Sequence, residues 1–98
     1  MELYVIRRRK AWASPADLQE AAARSARVGN EEMPTEVRWI RSYVVDEGDG
    51  TLGTVCIYQA TSPEAIRRHA DAADLPITEI IPIADTVVVR PDPSPVAQ

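Results

Sequence analysis

His69 is the only histidine of this chain and Cys56 its only cysteine. With three tyrosines, they are the side chains best suited to proton transfer, nucleophilic attack or metal ligation. An imidazole titrates near neutrality, so it can serve as base, acid or ligand. Catalysis by histidine needs an orienting partner, and metal binding needs two or three further ligands. Asp71 and Asp74 are near in sequence but, on a helix, point mostly elsewhere. His69 is therefore a candidate catalytic group and metal ligand, with a packed ring at a pocket edge as the alternative. Tyr58 and Tyr43 are the phenols that would position or protonate a substrate. Cys56 is a ligand-binding candidate, set against the common case of a buried, inert thiol. Without a second cysteine or a C-x-x-C motif, no zinc or redox site within one chain is expected.

Trp39, Arg41 and Tyr43 alternate along one strand and read as the ligand-binding or interface group. With Val37 and Val45, and with Val55, Ile57 and Gln59 on the paired strand, they predict one amphipathic sheet face. Aromatic residues and arginine are what interfaces favour, and also what lines small-molecule pockets. The opposite face, Ile40, Ser42 and Val44 with Cys56 and Tyr58, is expected to pack under helices. A one-residue slip in the hairpin register would swap the two faces. The run Arg7-Arg8-Arg9-Lys10 sends alternate side chains to opposite faces of a strand. It reads as charge at a strand end, with an anion or phosphate site as the alternative. Asp46, Glu47 and Asp49 read as a solvated turn, because a calcium loop is longer and ends in a distal bidentate Glu.

These residues must be positioned by six elements. Glu2 to about Arg9 alternates as a strand. Ser14-Pro15-Ala16-Asp17 starts a helix with a capping hydroxyl, a proline at the first position and an acid at the positive end of the dipole. That helix is expected to reach about Val28, where Gly29-Asn30 stops it. Its apolar stripe, Leu18, Ala21, Ala22, Ser25 and Val28, is mostly small. Glu36–Val45 and Thr51–Ala60 form a hairpin about Gly48 and Gly50. Ser62-Pro63-Glu64 opens a second helix that closes at about Ala73. A last strand is expected over Ile77–Val89, bent or at an edge where Pro82 falls. The order β-α-β-β-α-β is the split βαβ of the ferredoxin-like α+β fold: one four-stranded antiparallel sheet with both helices on one face. Residues 1–90 form this domain, and the Pro-rich residues 91–98 read as a loose tail. The bare sheet face predicts a homodimer, in the manner of a dimeric α+β barrel.

Ninety-eight residues make one domain,. A net charge of −4 argues against nucleic acid as partner,. No apolar run approaches the roughly 20 residues of a membrane span, and the N-terminus reads as a strand rather than a signal peptide. The cytoplasm is the expected location.

Val37-Arg38-Trp39-Ile40-Arg41-Ser42-Tyr43, Val55-Cys56-Ile57-Tyr58-Gln59-Ala60 and Thr61-Ser62-Pro63-Glu64-Ala65-Ile66-Arg67, in that order, carry a resemblance. So does Asp74-Leu75-Pro76 after the second helix. The sequence from about Tyr4 to Ile83 resembles a bacterial family of small proteins often labelled nickel-binding. The resemblance implies a ferredoxin-like fold, a homodimer and nickel as a possible cofactor. Nickel favours imidazole, thiolate and carboxylate ligands. One histidine and one cysteine per chain predict weak binding.

The first expectation is a small homodimeric binding protein for a metal or small ligand. The alternative is a cofactor-independent enzyme acting on a hydrophobic molecule between sheet and helices, with Tyr43, Tyr58, His69 and Arg41 as its working groups. That alternative rests on analogy of fold.

Overall fold

In the computed structural model, which describes residues 1–93, the chain runs β1 (Glu2–Trp12), α1 (Pro15–Arg27), β2 (Val37–Asp46), β3 (Leu52–Ala60), α2 (Pro63–Ala73) and β4 (Glu79–Pro82). The sheet order is β2-β3-β1-β4, with antiparallel pairs throughout. This is the ferredoxin-like arrangement expected from the element order. Both helix starts work as the sequence proposes. The Asp17 N–H donates to Ser14 Oγ at 3.2 Å, and the Ala65 N–H to Ser62 Oγ at 3.1 Å. Each cap satisfies a donor that the first helical turn leaves free.

The core lies between the sheet and the helices. Tyr4, Ile6, Val37, Cys56 and Tyr58 meet Ala65, Ile66 and Ala73 there. Full burial of a side chain such as Ile66 contributes about 1.5–3 kcal/mol.

Four features depart from the sequence reading. First, α1 does not stop at Gly29-Asn30. The chain continues as a wider π-helical turn over Val28–Glu32, and Met33 N–H donates to Val28 O. Neither Gly29 nor Asn30 takes positive φ, so the αL stop is not used. Second, the last strand ends at Pro82. Val87, Val88 and Val89 are exposed and outside any strand. Pro82 is tolerated because β4 is an edge strand,.

Third, Trp39 is not on the face of Arg41 and Tyr43. Val37 pairs with Ala60 and Trp39 with Tyr58, but Arg41 pairs with Ile57 and Tyr43 with Val55. One extra residue, Ile40, is inserted on β2 between the two registers. A β-bulge of this kind flips the alternation. Val37 and Trp39 therefore face the helices, whereas Arg41, Tyr43 and Val45 face outward with Val55 and Ile57. Ser42 and Val44 keep the expected helix side. Fourth, β1 runs past Arg9 to Trp12. Its pairing passes from Arg8–Thr54 to Trp12–Leu52, so three residues of β1 oppose Gly53 alone. Lys10 absorbs the bend at φ 51°, and Trp12 returns to the buried side.

Of the Pro-rich tail, residues 94–98 lie outside the described residues. Before them, Asp92 reaches back to β2, where its Oδ2 accepts from Arg41 Nη1 and Tyr43 OH, both at 2.8 Å. No helix is long and apolar enough to cross a membrane among the described residues.

Candidate functional site

A cavity of about 460 Å³ opens between the sheet and α1. Its existence follows from a mismatch in side-chain size. From above, α1 presents the small side chains Ala21, Ala22 and Ser25, of which Ser25 meets the sheet through the Tyr58 hydroxyl. From below, the sheet presents three cross-strand rows: Arg8–Thr54–Val44, Ile6–Cys56–Ser42 and Tyr4–Tyr58–Trp39. Trp12 and Leu75 wall the space beside Arg8. The mouth lies at the β2 edge, where Trp39, Ile40 and Val44 are exposed and apolar. The bulge at Ile40 helps to make this mouth by turning Trp39 onto Tyr58, with ring centroids 6.1 Å apart. Trp39 Nε1–H donates to Ser42 Oγ at 2.7 Å, which fixes the indole.

Polar groups line the interior as well as the β2 rim. Tyr58 OH and Ser25 Oγ share a hydrogen bond of 2.7 Å. The Cys56 thiol donates to Thr54 Oγ1 at 3.3 Å. Arg8 is 1% exposed. Its Nη1 donates to Pro76 O at 2.6 Å, and its Nη2 has no partner. Among the described residues, no carboxylate lines the cavity. Burial holds the Tyr58 phenol above its ordinary pKa, partly offset by the Ser25 hydrogen bond and the nearby Arg8 charge. Tyr58 is therefore a neutral hydroxyl at neutral pH.

His69 takes another place. It is 1% exposed within α2, packed edge-on against Tyr58 at 5.5 Å between centroids. Its Nε2 lies 3.0 Å from Ser25 O. A carbonyl only accepts, so Nε2 carries the proton and Nδ1 the lone pair. Nδ1 is buried without a partner. Burial first, and the Arg8 charge after it, lower the pKa of His69, so the neutral ring is favoured,. His69 does not line the cavity.

The structure thus brings Tyr58, Cys56 and Trp39 to one cavity. Arg41 touches its rim but points its guanidinium outward to Asp92. Tyr43 stands on the opposite face of the sheet from Tyr58 and His69, so these three cannot act on one substrate. The residue that sequence reasoning undervalued is Arg8. It shares a strand face with Tyr4 and Ile6, and a cation that continues an apolar face was the available signal. The three acids of the hairpin diverge rather than converge. Glu47 goes to Arg7 and the Lys10 N–H, while Asp46 accepts from Gly48 N and Asp49 from Thr51. Those Thr51 bonds pull the Asp49 carboxyl down to about 2.

A family model described as "Nickel responsive protein SCO4226-like" matches residues 4–83. The chain belongs to this family. Among solved structures it is similar to SCO4226 from Streptomyces coelicolor A3(2), with a TM-score of 0.68 and 19% sequence identity over 87% of this chain and 99% of that one. This likeness supports the ferredoxin-like fold. No curated protein matches.

The family description speaks of nickel responsiveness, so the donor set of this chain can be tested against that ion. Among the described residues, no three His, Cys, Asp or Glu side chains come together as a ligand set. The one free imidazole nitrogen is sealed in the core near a guanidinium, and the thiol is spent on Thr54. The donor set of a single chain does not fit a nickel ion.

Proposed function

We propose that this protein binds a small organic molecule, with the cavity between the sheet and α1 as its site and two copies as its working assembly. The cavity carries the reading. At about 460 Å³ it falls within the roughly 300–1,000 Å³ of small-molecule sites. Its walls are largely apolar, and Arg8, Ser25, Thr54, Cys56 and Tyr58 supply the polar groups of its interior, as orientation of a ligand requires. The pairing of Tyr58 and His69 as a proton-transfer couple has less support, because the Tyr58 hydroxyl and His69 Nε2 are both engaged by Ser25 and His69 does not line the cavity. Nickel binding by one chain is expected to be weak for want of ligands.

The test uses a neutral fluorescent probe, N-phenyl-1-naphthylamine, titrated into the parent and into Ala22→Trp. Ala22 is half-buried on α1 and faces the cavity, so an indole there fills the space without touching the sheet core. Saturable fluorescence enhancement in the parent, abolished in Ala22→Trp, is the expected result. No saturable enhancement, or enhancement that Ala22→Trp leaves intact, refutes the reading.

A further inference from the structure

We infer that the cavity takes an amphipathic monocarboxylate, with its carboxylate on Arg8 and its apolar body running toward the mouth at Trp39, Ile40 and Val44. The inference rests on the cavity being a ligand site and names the class of ligand.

The argument begins with charge. Four consecutive cations, Arg7 to Lys10, lie in β1, and three have acidic partners. Arg7 Nη2 meets Glu47 at 2.9 Å, Arg9 pairs with Glu79, and Lys10 Nζ lies 3.3 Å from Asp49. Arg8 has none. It is also the one buried arginine among the described residues. A buried charge without a counter-charge is unfavourable unless something neutralises or hydrogen-bonds it. One neutral carbonyl, Pro76 O, does part of this through Nη1. Nη2 remains unsatisfied. A buried donor that finds no partner in the protein is a reason to look for one in a ligand.

The surroundings select the ligand's chemistry. A guanidinium presents donors in a planar fork that suits carboxylate or phosphate. Arg8 is the one cation without an acidic partner here, since Arg41 at the rim is paired with Asp92, and apart from Gln19 the rest of the cavity is apolar, hydroxylic or thiol. A single positive charge balances a monoanion. A phosphate monoester, close to doubly charged near neutral pH, would keep most of a charge uncompensated in an apolar space. Thr54 adds a donor, since its Oγ1 accepts from Cys56 and its own proton stays free. The apolar part follows from the row Arg8–Thr54–Val44. It crosses two strand spacings, each about 4.8 Å, so the backbones of Arg8 and Val44 stand about 10 Å apart, and this sets the scale of the apolar body.

Decanoate and decanol are the probes, each measured by displacement of N-phenyl-1-naphthylamine. The two share an apolar chain and differ in the anion. The parent is expected to bind decanoate about 10- to 100-fold more tightly than decanol, the range of a charged hydrogen bond. Arg8→Met is expected to remove that preference while decanol still binds. Arg8→Lys keeps the charge but loses the fork, so decanoate weakens several-fold and decanol stays unchanged. Equal binding of the two probes by the parent overturns the inference and leaves the ligand-binding reading standing. A decanoate preference that survives Arg8→Met overturns it as well. Should Arg8→Met not fold, an unchanged decanoate affinity in Arg8→Lys overturns it. Binding of the fluorescent probe that neither chain displaces overturns it too, whereas no probe binding at all defeats both readings.

Discussion

Gly53→Ala is the substitution that most directly tests how β1 delivers Arg8 and Trp12 to the cavity. Gly53 is the single β3 residue opposite the three-residue bulge of β1. A Cβ built on it would lie 2.5 Å from Arg8 O and 2.8 Å from Arg7 Nη1, and would overlap Glu47 Oε2. The first of these is backbone and cannot swing away. The Glu47 carboxylate lies over the glycine because it joins Arg7 Nη2 at 2.9 Å to the Lys10 N–H at 2.8 Å. The added methyl must therefore shift the bulge or evict Glu47. Overpacking of this kind costs about 1–3 kcal/mol. At about 4–8 °C per kcal/mol for a domain of this size, the melting temperature should fall by roughly 5–20 °C. Thermal denaturation followed by circular dichroism reads this. Gly48→Ala is the control. Gly48 has φ 86° and open space around it, so its cost is backbone strain alone, about 1 kcal/mol. If Glu47 is what the methyl displaces, Glu47→Ala should cost less in the Gly53→Ala background than in the parent. Because Trp12 walls the cavity, Gly53→Ala should also weaken naphthylamine binding. A Gly53→Ala protein that melts within about 2 °C of the parent refutes the reasoning, since a change that small is a surface effect.

The fold should lose stability in mild acid through His69. Its pKa is lowered on folding, so the unfolded chain binds the proton first. The contribution is therefore fully present above the ordinary value of 6.5 and is lost as pH falls from there toward the lowered folded value,. Urea midpoints at about pH 7.5 and about pH 5.5, both above the ordinary range of Glu47 and Asp49, should differ in the parent and converge in His69→Gln; equal midpoints in the parent contradict it. The second expectation concerns assembly. Tyr43 and Ile81 are exposed apolar surface on the outer sheet face, and Val87–Val89 add exposed apolar surface after β4. Two copies pairing there would bury about 800 Å² each. Sedimentation at micromolar concentration should show a dimer that Ile81→Arg dissociates, and a monomeric parent would end the proposal.

The order of elements was legible because its signals are local. Ser14-Pro15 and Ser62-Pro63 announce their helices in four residues, and Gly48 and Gly50 announce the hairpin. The β2 bulge was not legible. Val37, Trp39, Arg41, Tyr43 and Val45 alternate without interruption, and nothing in that pattern marks Ile40 as an inserted residue. Only its pairing with β3 does so, because Tyr58 and Ile57 accept partners two positions apart on β2. The interface group therefore divided between the two faces. The cavity was half legible. Alanines on α1 facing tyrosine on β3 imply a gap, but whether the helix settles into it depends on the bulky walls, Trp12 and Trp39. Each reaches its place through a bulge. Arg8 was visible as a charge and not as a buried one, because the run around it disguises a residue that continues the face of Tyr4 and Ile6.

Arg8 also sets what sort of site this is. A leucine or methionine could close the floor of the cavity, and replacing a buried, unpaired charge by an apolar side chain is often neutral or stabilising. The guanidinium therefore makes the empty fold less stable than its topology permits. The same charge makes binding of an anion a stabilising event. A ligand that binds only the folded chain adds about 2.7 kcal/mol at a hundred times its Kd, a large share of the roughly 5–15 kcal/mol that hold a domain together. A metal cation gains nothing from this arrangement, because Arg8 opposes it and the nearest imidazole nitrogen is sealed in the core. Family membership and the interior of this chain thus point to different charges. They are compatible if a response to nickel does not run through this cavity, for which we propose an anion.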